Sequence, residues 1–92
     1  MPYITEEERA HLAPVLEAFE RAFSTEDYEG RLNYLVSSMV LSVWQRTGRY
    51  RDIARLTGVL ENVKQEFYRR AASPYEDAKI AEHGDIGYQE RA

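Results

Sequence analysis

The sequence predicts an all-α protein, a small antiparallel bundle of three main helices with a short C-terminal helix. Apolar side chains recur at steps of three and four residues through most of the chain, which is the spacing of one helix face. Glycine and proline signals separate these segments. Because the chain has 92 residues, of which 43% are hydrophobic and 30% charged, we expect one folded helical domain over residues 1–92.

The first helix has a start signal at Thr5, which can cap it, with Glu8 three residues further on completing a capping box. Pro14 interrupts the segment that follows. Because proline suits the first turn of a helix, we expect residues 1–12 to form a cap and a short turn, and a second helix start near Ala13.

The second helix is predicted from about Gly30 to Thr47, with Gly48 as its stop. The thirteen positions from Leu32 to Trp44 carry no charge. A helix that is apolar nearly all round requires burial nearly all round, and the few other helices of this chain can hardly supply it. We therefore expect a self-association surface here and a homo-oligomer, in its simplest form a dimer.

The third helix is predicted from about Tyr50 to Ala72. Its apolar positions form a seam of heptad type, made of Ile53, Leu56, Leu60, Val63 and Phe67. Ser73 and Pro74 then read as the cap and first position of a short fourth helix that ends before Gly84. Residues 85–92 are expected to form an extended tail.

Composition excludes several classes of function. The chain has no cysteine, which excludes disulfides, thiolate metal sites and cysteine nucleophiles, and fits a reducing compartment. We expect a cytoplasmic protein without membrane contact, because the longest uncharged run is shorter than the roughly 20 apolar residues that a bilayer requires. Neither histidine has a partner at metal spacing, so no metal site is predicted.

Charge is unevenly distributed along the chain. Residues 1–30 sum to −6, residues 31–60 to +4 and residues 61–92 to −2, which gives the net charge of −4. One interpretation is that the acidic first helix packs against the basic middle segment of the same chain. The other is a basic patch for nucleic acid, with Trp44 and Tyr50 as stacking residues and four candidate arginines, Arg46, Arg49, Arg51 and Arg55. We expect no nucleic-acid partner, because the chain as a whole is acidic.

An enzymatic alternative rests on acid pairs. Glu17 and Glu20 form an ExxE, and Glu82 and Asp85 form an ExxD. Helical nucleotide-hydrolysing enzymes of the MazG type bind Mg²⁺ with such pairs, because two acids at helical spacing converge on a hard cation. Here the two pairs stand at opposite ends of the chain, so no catalytic residue is assigned. No cofactor is predicted, and Mg²⁺ enters only under this alternative.

One polar stripe of the third helix is a further candidate site. Thr57, Glu61, Lys64 and Tyr68 lie beside the apolar seam, with Tyr50 on the same side. The stripe can be a surface ion pair between Glu61 and Lys64, or a polar pocket.

Several segments also match one family in order: Met1-Pro2-Tyr3-Ile4, Gly30-Arg31-Leu32-Asn33-Tyr34, Gly58-Val59-Leu60-Glu61, Lys64-Gln65-Glu66-Phe67-Tyr68-Arg69-Arg70, Pro74-Tyr75-Glu76-Asp77, Lys79-Ile80 and Gly84-Asp85. The chain resembles an uncharacterised family of small bacterial and phage proteins, a domain of unknown function. The resemblance implies a helical fold and a phage or prophage context, and it supplies no activity. It directs attention to Asn33, Tyr34, Glu61, Lys64, Tyr68, Arg69, Tyr75 and Asp77 as ligand or interface candidates, to which the uncharged helix adds Trp44.

The leading functional interpretation is a non-enzymatic helical module that forms a homo-oligomer and binds a protein partner. The enzyme acting on nucleotides and the nucleic-acid contact remain as alternatives.

Overall fold

A computed structural model describes residues 3–88, and every regular element within this range is a helix. The elements are α1 (Glu6–Ala22), α2 (Tyr28–Thr47), α3 (Tyr50–Phe67), a π-helical turn (Tyr68–Ala72) and α4 (Ser73–His83). The all-α prediction is confirmed. The chain divides between Leu56 and Thr57 into a first and a second unit, which are described separately. That the whole chain is one domain stays a prediction.

Helix α1 begins at the expected cap and continues past the expected interruption. The hydroxyl of Thr5 accepts a hydrogen bond from the Glu8 N–H at 3.1 Å, which confirms the cap. Pro14 lies inside α1, so the structure differs from the predicted short turn over residues 1–12 and new start near Ala13. A proline within a helix removes one backbone N–H donor, and the turns on either side of it keep their backbone hydrogen bonds.

Helix α2 starts two residues before the predicted position, after Asp27, whose φ of 46° is left-handed. It stops where predicted: Gly48 has a φ of 62°, and its N–H donates to the Trp44 carbonyl at 2.8 Å. Glycine is favoured there because a left-handed φ costs it nothing. On the inner face of α2, Leu35, Val36 and Val40 are half-buried.

No apolar side chain among residues 3–88 is buried, and Asp52, which is 8% exposed, is the one buried residue in this range. The predicted α3 seam is therefore open in the single chain. Leu56 is half-buried, but Leu60 is 40% and Phe67 69% exposed. The helical spacing correctly predicted which side chains share a face of α3. It could not predict whether another part of the protein packs against that face.

The second unit contains an unpredicted element where α3 was expected to stop. The chain passes from α3 through the π-helical turn directly into α4, and Ser73 is itself helical, with φ −62° and ψ −46°. The Ser73 N–H donates to the Tyr68 carbonyl, five residues back. Proline in a regular helix clashes with the carbonyl four residues before it, and the wider π turn makes room for Pro74. Ser73 is therefore not the predicted cap.

Gly84 ends α4 as predicted, and its N–H donates to the Ile80 carbonyl at 2.7 Å. Of the predicted tail, residues 85–88 are described, and Ile86 and Tyr88 are 83% and 75% exposed. The rest of the tail, residues 89–92, lies outside the described residues. Among the described helices, none combines the length and apolar character that a membrane span needs.

Candidate functional site

An apolar groove in the first unit is lined by residues of α1 and α2 and is here called the α1–α2 groove. It has a volume of about 630 Å³. Its lining consists of Val15, Leu16, Ala18, Phe19, Ala22, Phe23, Arg31, Leu32, Tyr34, Leu35 and Met39.

The walls of the α1–α2 groove are aromatic and aliphatic, and they are open to solvent. The rings of Phe19 and Phe23 stack at 4.7 Å between centroids. Leu16 is 62% exposed and Tyr34 70%. Arg31 is the single charged residue of the lining, and its guanidinium donates to the Glu26 carbonyl at the end of the groove. The groove can therefore take an apolar surface and offers few groups to orient a polar ligand.

A second surface runs along the outer face of α2. This face contains Tyr34, Ser37, Ser38, Leu41, Trp44 and Gln45, all of which are exposed. It lies opposite the half-buried Leu35 and Val36, and Val40 stands at its edge, four residues before Trp44. The Ser37 hydroxyl donates to the Asn33 Oδ1 at 3.1 Å, so Asn33 is engaged within its own helix. Three predicted site residues, Asn33, Tyr34 and Trp44, thus share α2.

The four candidate arginines lie at the end of α2 and the start of α3, all exposed. Arg55 forms an ion pair with Asp52 at 3.7 Å. Tyr50, the aromatic residue between them in sequence, is 89% exposed.

In the second unit, the structure brings Tyr68 together with Glu76. The Tyr68 hydroxyl donates to the two carboxylate oxygens of Glu76, at 2.9 and 3.0 Å. This hydrogen bond, and next the negative charge of Glu76, raise the pKa of Tyr68 above its ordinary value of 10.0. The pair links the π-helical turn to α4.

The other candidates of the second unit are exposed pairs. The Lys64 ammonium lies 3.7 Å from a Glu61 carboxylate oxygen, and the two side chains are 75% and 51% exposed. Of the two interpretations of this polar stripe, the geometry of these two residues is that of a surface ion pair. Such pairs contribute a few tenths of a kcal/mol. Arg69 pairs with Glu66 at 2.9 Å, and Arg70 reaches the same carboxylate oxygen at 3.4 Å.

Tyr75 and Asp77 lie on α4 and do not form one site. The Lys79 ammonium stands 5.6 Å from the centre of the Tyr75 ring. Asp77 lines a shallow depression of about 400 Å³ together with Ile80, Ala81, Gly84 and Asp85.

Sequence reasoning missed the roles of Glu66 and Glu76. Glu66 lies three and four residues before Arg69 and Arg70, which is an ion-pair spacing on a helix and could have been read from the sequence. Glu76 lies eight residues after Tyr68, and its contact arises across the π-helical turn, which no sequence signal announced.

Within residues 3–88, no group of three or more histidine, aspartate or glutamate side chains is arranged to hold a metal ion. Of the acids in the enzymatic alternative, Glu17 and Glu20 belong to the first unit, whereas Glu82 and Asp85 belong to the second. No observation in the described range therefore favours the Mg²⁺ alternative.

The model of a family described as "Domain of unknown function (DUF6899)" matches residues 1–86. No curated protein and no solved structure matches the chain.

Proposed function

Because the chain belongs to the DUF6899 family, a domain of unknown function, we propose a function from its exposed surface: it is a non-enzymatic helical module that works as a homo-oligomer and binds other proteins. The observation that carries this proposal is the α1–α2 groove, an apolar cleft that nothing in the first unit covers. A phage or prophage context remains part of the proposal.

The energetics of the first unit support an added surface. Ordering one residue costs about 1–2 kcal/mol of backbone entropy, and burial of apolar side chains must offset it. Most of the stability of a helix in a protein comes from packing of its apolar face, and little comes from intrinsic helix propensity. Leu16 and Tyr34 are more than half exposed, so the first unit buries little of this apolar surface by itself. A second copy of the chain supplies the missing surface.

The chemistry of the groove supports a protein as its occupant. Apart from Arg31 at its end, the lining consists of apolar and aromatic side chains, which is the composition of the core of an obligate subunit interface. A small polar metabolite would leave these side chains without complementary contacts.

Light scattering coupled to size exclusion tests the assembly. At ~10 µM the proposal requires a mass of at least two chains, and the apparent stability should rise with concentration. A clean monomer at this concentration would overturn it, because the apolar faces would then be covered within the chain itself.

A second candidate function, contact with nucleic acid, is favoured by one observation: Arg46, Arg49 and Arg51 are exposed beside a Tyr50 ring that is 89% exposed. Binding of a fluorescent single-stranded oligonucleotide should then weaken steeply between 50 and 200 mM salt. Absent or salt-independent binding would reject this candidate.

A further inference from the structure

The second unit carries an apolar stripe on the part of α3 that precedes the π-helical turn. Leu60, Val63 and Phe67 follow one another at steps of three and four residues, so they share one face of the helix. Their exposed fractions are 40%, 59% and 69%. Gln65 lies on the opposite face, where its side-chain amide donates to Glu61 at 3.2 Å. This stripe, here called the exposed α3 seam, is therefore the apolar side of an amphipathic helix.

We propose that the exposed α3 seam of one copy packs into the α1–α2 groove of a second copy. This inference rests on the proposed self-association and adds to it the two surfaces that meet. The pairing is reciprocal, because each copy has one groove and one seam, and a twofold axis makes the contact occur twice. An amphipathic helix laid into an apolar groove is a recurrent mode of recognition, and its anchors follow the spacing i, i+3 and i+7 that Leu60, Val63 and Phe67 have.

The groove and the seam have matching lengths. The α1 wall of the groove runs over Val15–Ala22 and the α2 wall over Arg31–Met39, which at the helical rise per residue gives about 10–12 Å. By the same rise, Leu60 and Phe67 lie about 10 Å apart along α3. All three anchors of the seam therefore fit within one groove, and Tyr75, eight residues after Phe67, lies past its end.

Packing of the seam into the groove buries no unpaired charge. The ionised side chain beside the seam is Lys64, which is 75% exposed and lies 3.7 Å from Glu61, and its long stem lets the ammonium stay in water. The one charged residue of the groove, Arg31, lies at its end and already donates to the Glu26 carbonyl. The contact therefore gains apolar burial without the cost of desolvating an unpaired ion.

The apolar surface of the groove and the seam is enough for a stable dimer. The aromatic side chains Phe19, Tyr34 and Phe67 are 37%, 70% and 69% exposed. Six other side chains are 38–62% exposed: Val15, Leu16, Leu32, Met39, Leu60 and Val63. Together they offer on the order of 800 Å² per copy, judged from about 150–250 Å² for a whole aromatic side chain. Each partner in a standard stable interface buries about 800 Å², so the reciprocal contact has the area that it needs.

Single cysteines test which surfaces meet, since the chain has none of its own. Ala18→Cys lies midway along the groove and Val63→Cys midway along the seam, so the two thiols meet in either direction of the bound helix. The two variants are unfolded and refolded together, and mild oxidation should join them into a mixed covalent dimer. Because each chain carries one thiol, this crosslink must join two copies. Gln65→Cys, on the opposite face of α3, is the matched control and should not crosslink to Ala18→Cys.

A pair of aromatic substitutions tests the same contact without crosslinking. Phe67→Lys removes the largest anchor of the seam, and the dissociation constant of the dimer should rise about 30-fold or more. Tyr75→Lys changes an aromatic residue of similar exposure, 65% against 69%, that lies past the groove, so the constant should change little. Equal effects of the two substitutions would overturn the inference. Circular dichroism checks that both variants keep their helix content, and the crosslinks decide the question if either one unfolds.

The outcomes separate this contact from the proposed function. Light scattering that reports an oligomer while Ala18→Cys and Val63→Cys stay uncrosslinked would overturn the inference, and the proposed function would stand. When both substitutions are made in one chain, a crosslink that forms only within single chains would place the seam in the groove of its own copy and would also overturn it. A monomeric wild-type chain would reject both the contact and the proposed function.

Discussion

Tyr68 donates its phenolic hydrogen to both carboxylate oxygens of Glu76, at 2.9 and 3.0 Å, and so joins the π-helical turn to α4. The contact exists because Pro74 is accommodated by a widened turn instead of a helix break. No apolar side chain of the second unit is fully buried in the described range. This polar contact is therefore a specific side-chain link between these two elements.

Tyr68→Phe should loosen α4, because it removes the hydroxyl and leaves the ring in place. The measurement is α4 protection by amide hydrogen exchange, together with far-ultraviolet circular dichroism. Tyr75→Phe is the matched control, since the Tyr75 ring faces Lys79 and a phenyl ring keeps that contact. Equal protection in both variants would mean that the hydrogen bond does not hold α4.

The raised pKa of Tyr68 predicts a loss of stability at high pH. A phenol that holds its proton more tightly in the folded chain stabilises the fold fully below its ordinary pKa of 10.0, and this contribution disappears as pH rises through the raised value. Absorbance at 295 nm should show one tyrosine titrating late in the wild type and not in Tyr68→Phe. Identical late titration in the two proteins would contradict the assignment.

Trp44→Lys should weaken assembly more than it weakens the fold, because Trp44 lies on the outer face of α2 and is 40% exposed in the single chain. We expect the dissociation constant to rise about 30-fold or more, as for an aromatic residue that anchors an interface. Analytical ultracentrifugation measures it. Tyr50→Lys, at an aromatic residue that begins α3 and is 89% exposed, should change the constant little. If Trp44→Lys unfolds while the wild type is monomeric, Trp44 belongs to the core.

Thr5→Ala should destabilise the protein by about 1 kcal/mol, because the Glu8 N–H loses the hydroxyl that caps α1. Urea unfolding at a fixed protein concentration measures the change. Thr5→Ser keeps an oxygen at this position and should retain most of the stability. A Thr5→Ser variant as unstable as Thr5→Ala would assign the effect to the lost methyl group.

Calorimetric titration with Mg²⁺, alone and with a panel of nucleoside triphosphates, should show no binding heat. The expectation follows from the sequence, in which the two acid pairs stand at opposite ends of the chain. Saturable Mg²⁺-dependent heat would revive the enzymatic alternative, and Glu17→Gln and Glu82→Gln would then test whether the acid pairs cause it.

The sequence by itself determined the helix ends that depend on local hydrogen bonds. Thr5, Gly48 and Gly84 act within one turn of chain, so the residue type is sufficient to place the boundary. It also determined that Tyr34 and Leu41 share one face of α2 and that Val36 lies on the other, because helical periodicity fixes the faces. These positions provided the candidate residues on α2.

Only the tertiary structure decided whether the predicted faces are covered and which elements join. Pro14 lies within α1, and Pro74 follows a π-helical turn. Local sequence rules predict a helix end at each proline, but the neighbouring turns keep their helical conformation. The open α3 seam and the Tyr68–Glu76 contact were likewise beyond the sequence. Burial and contacts of this kind depend on how the surfaces of different elements pack together in space. The free energy of that packing cannot be calculated from the spacing of residues along one helix.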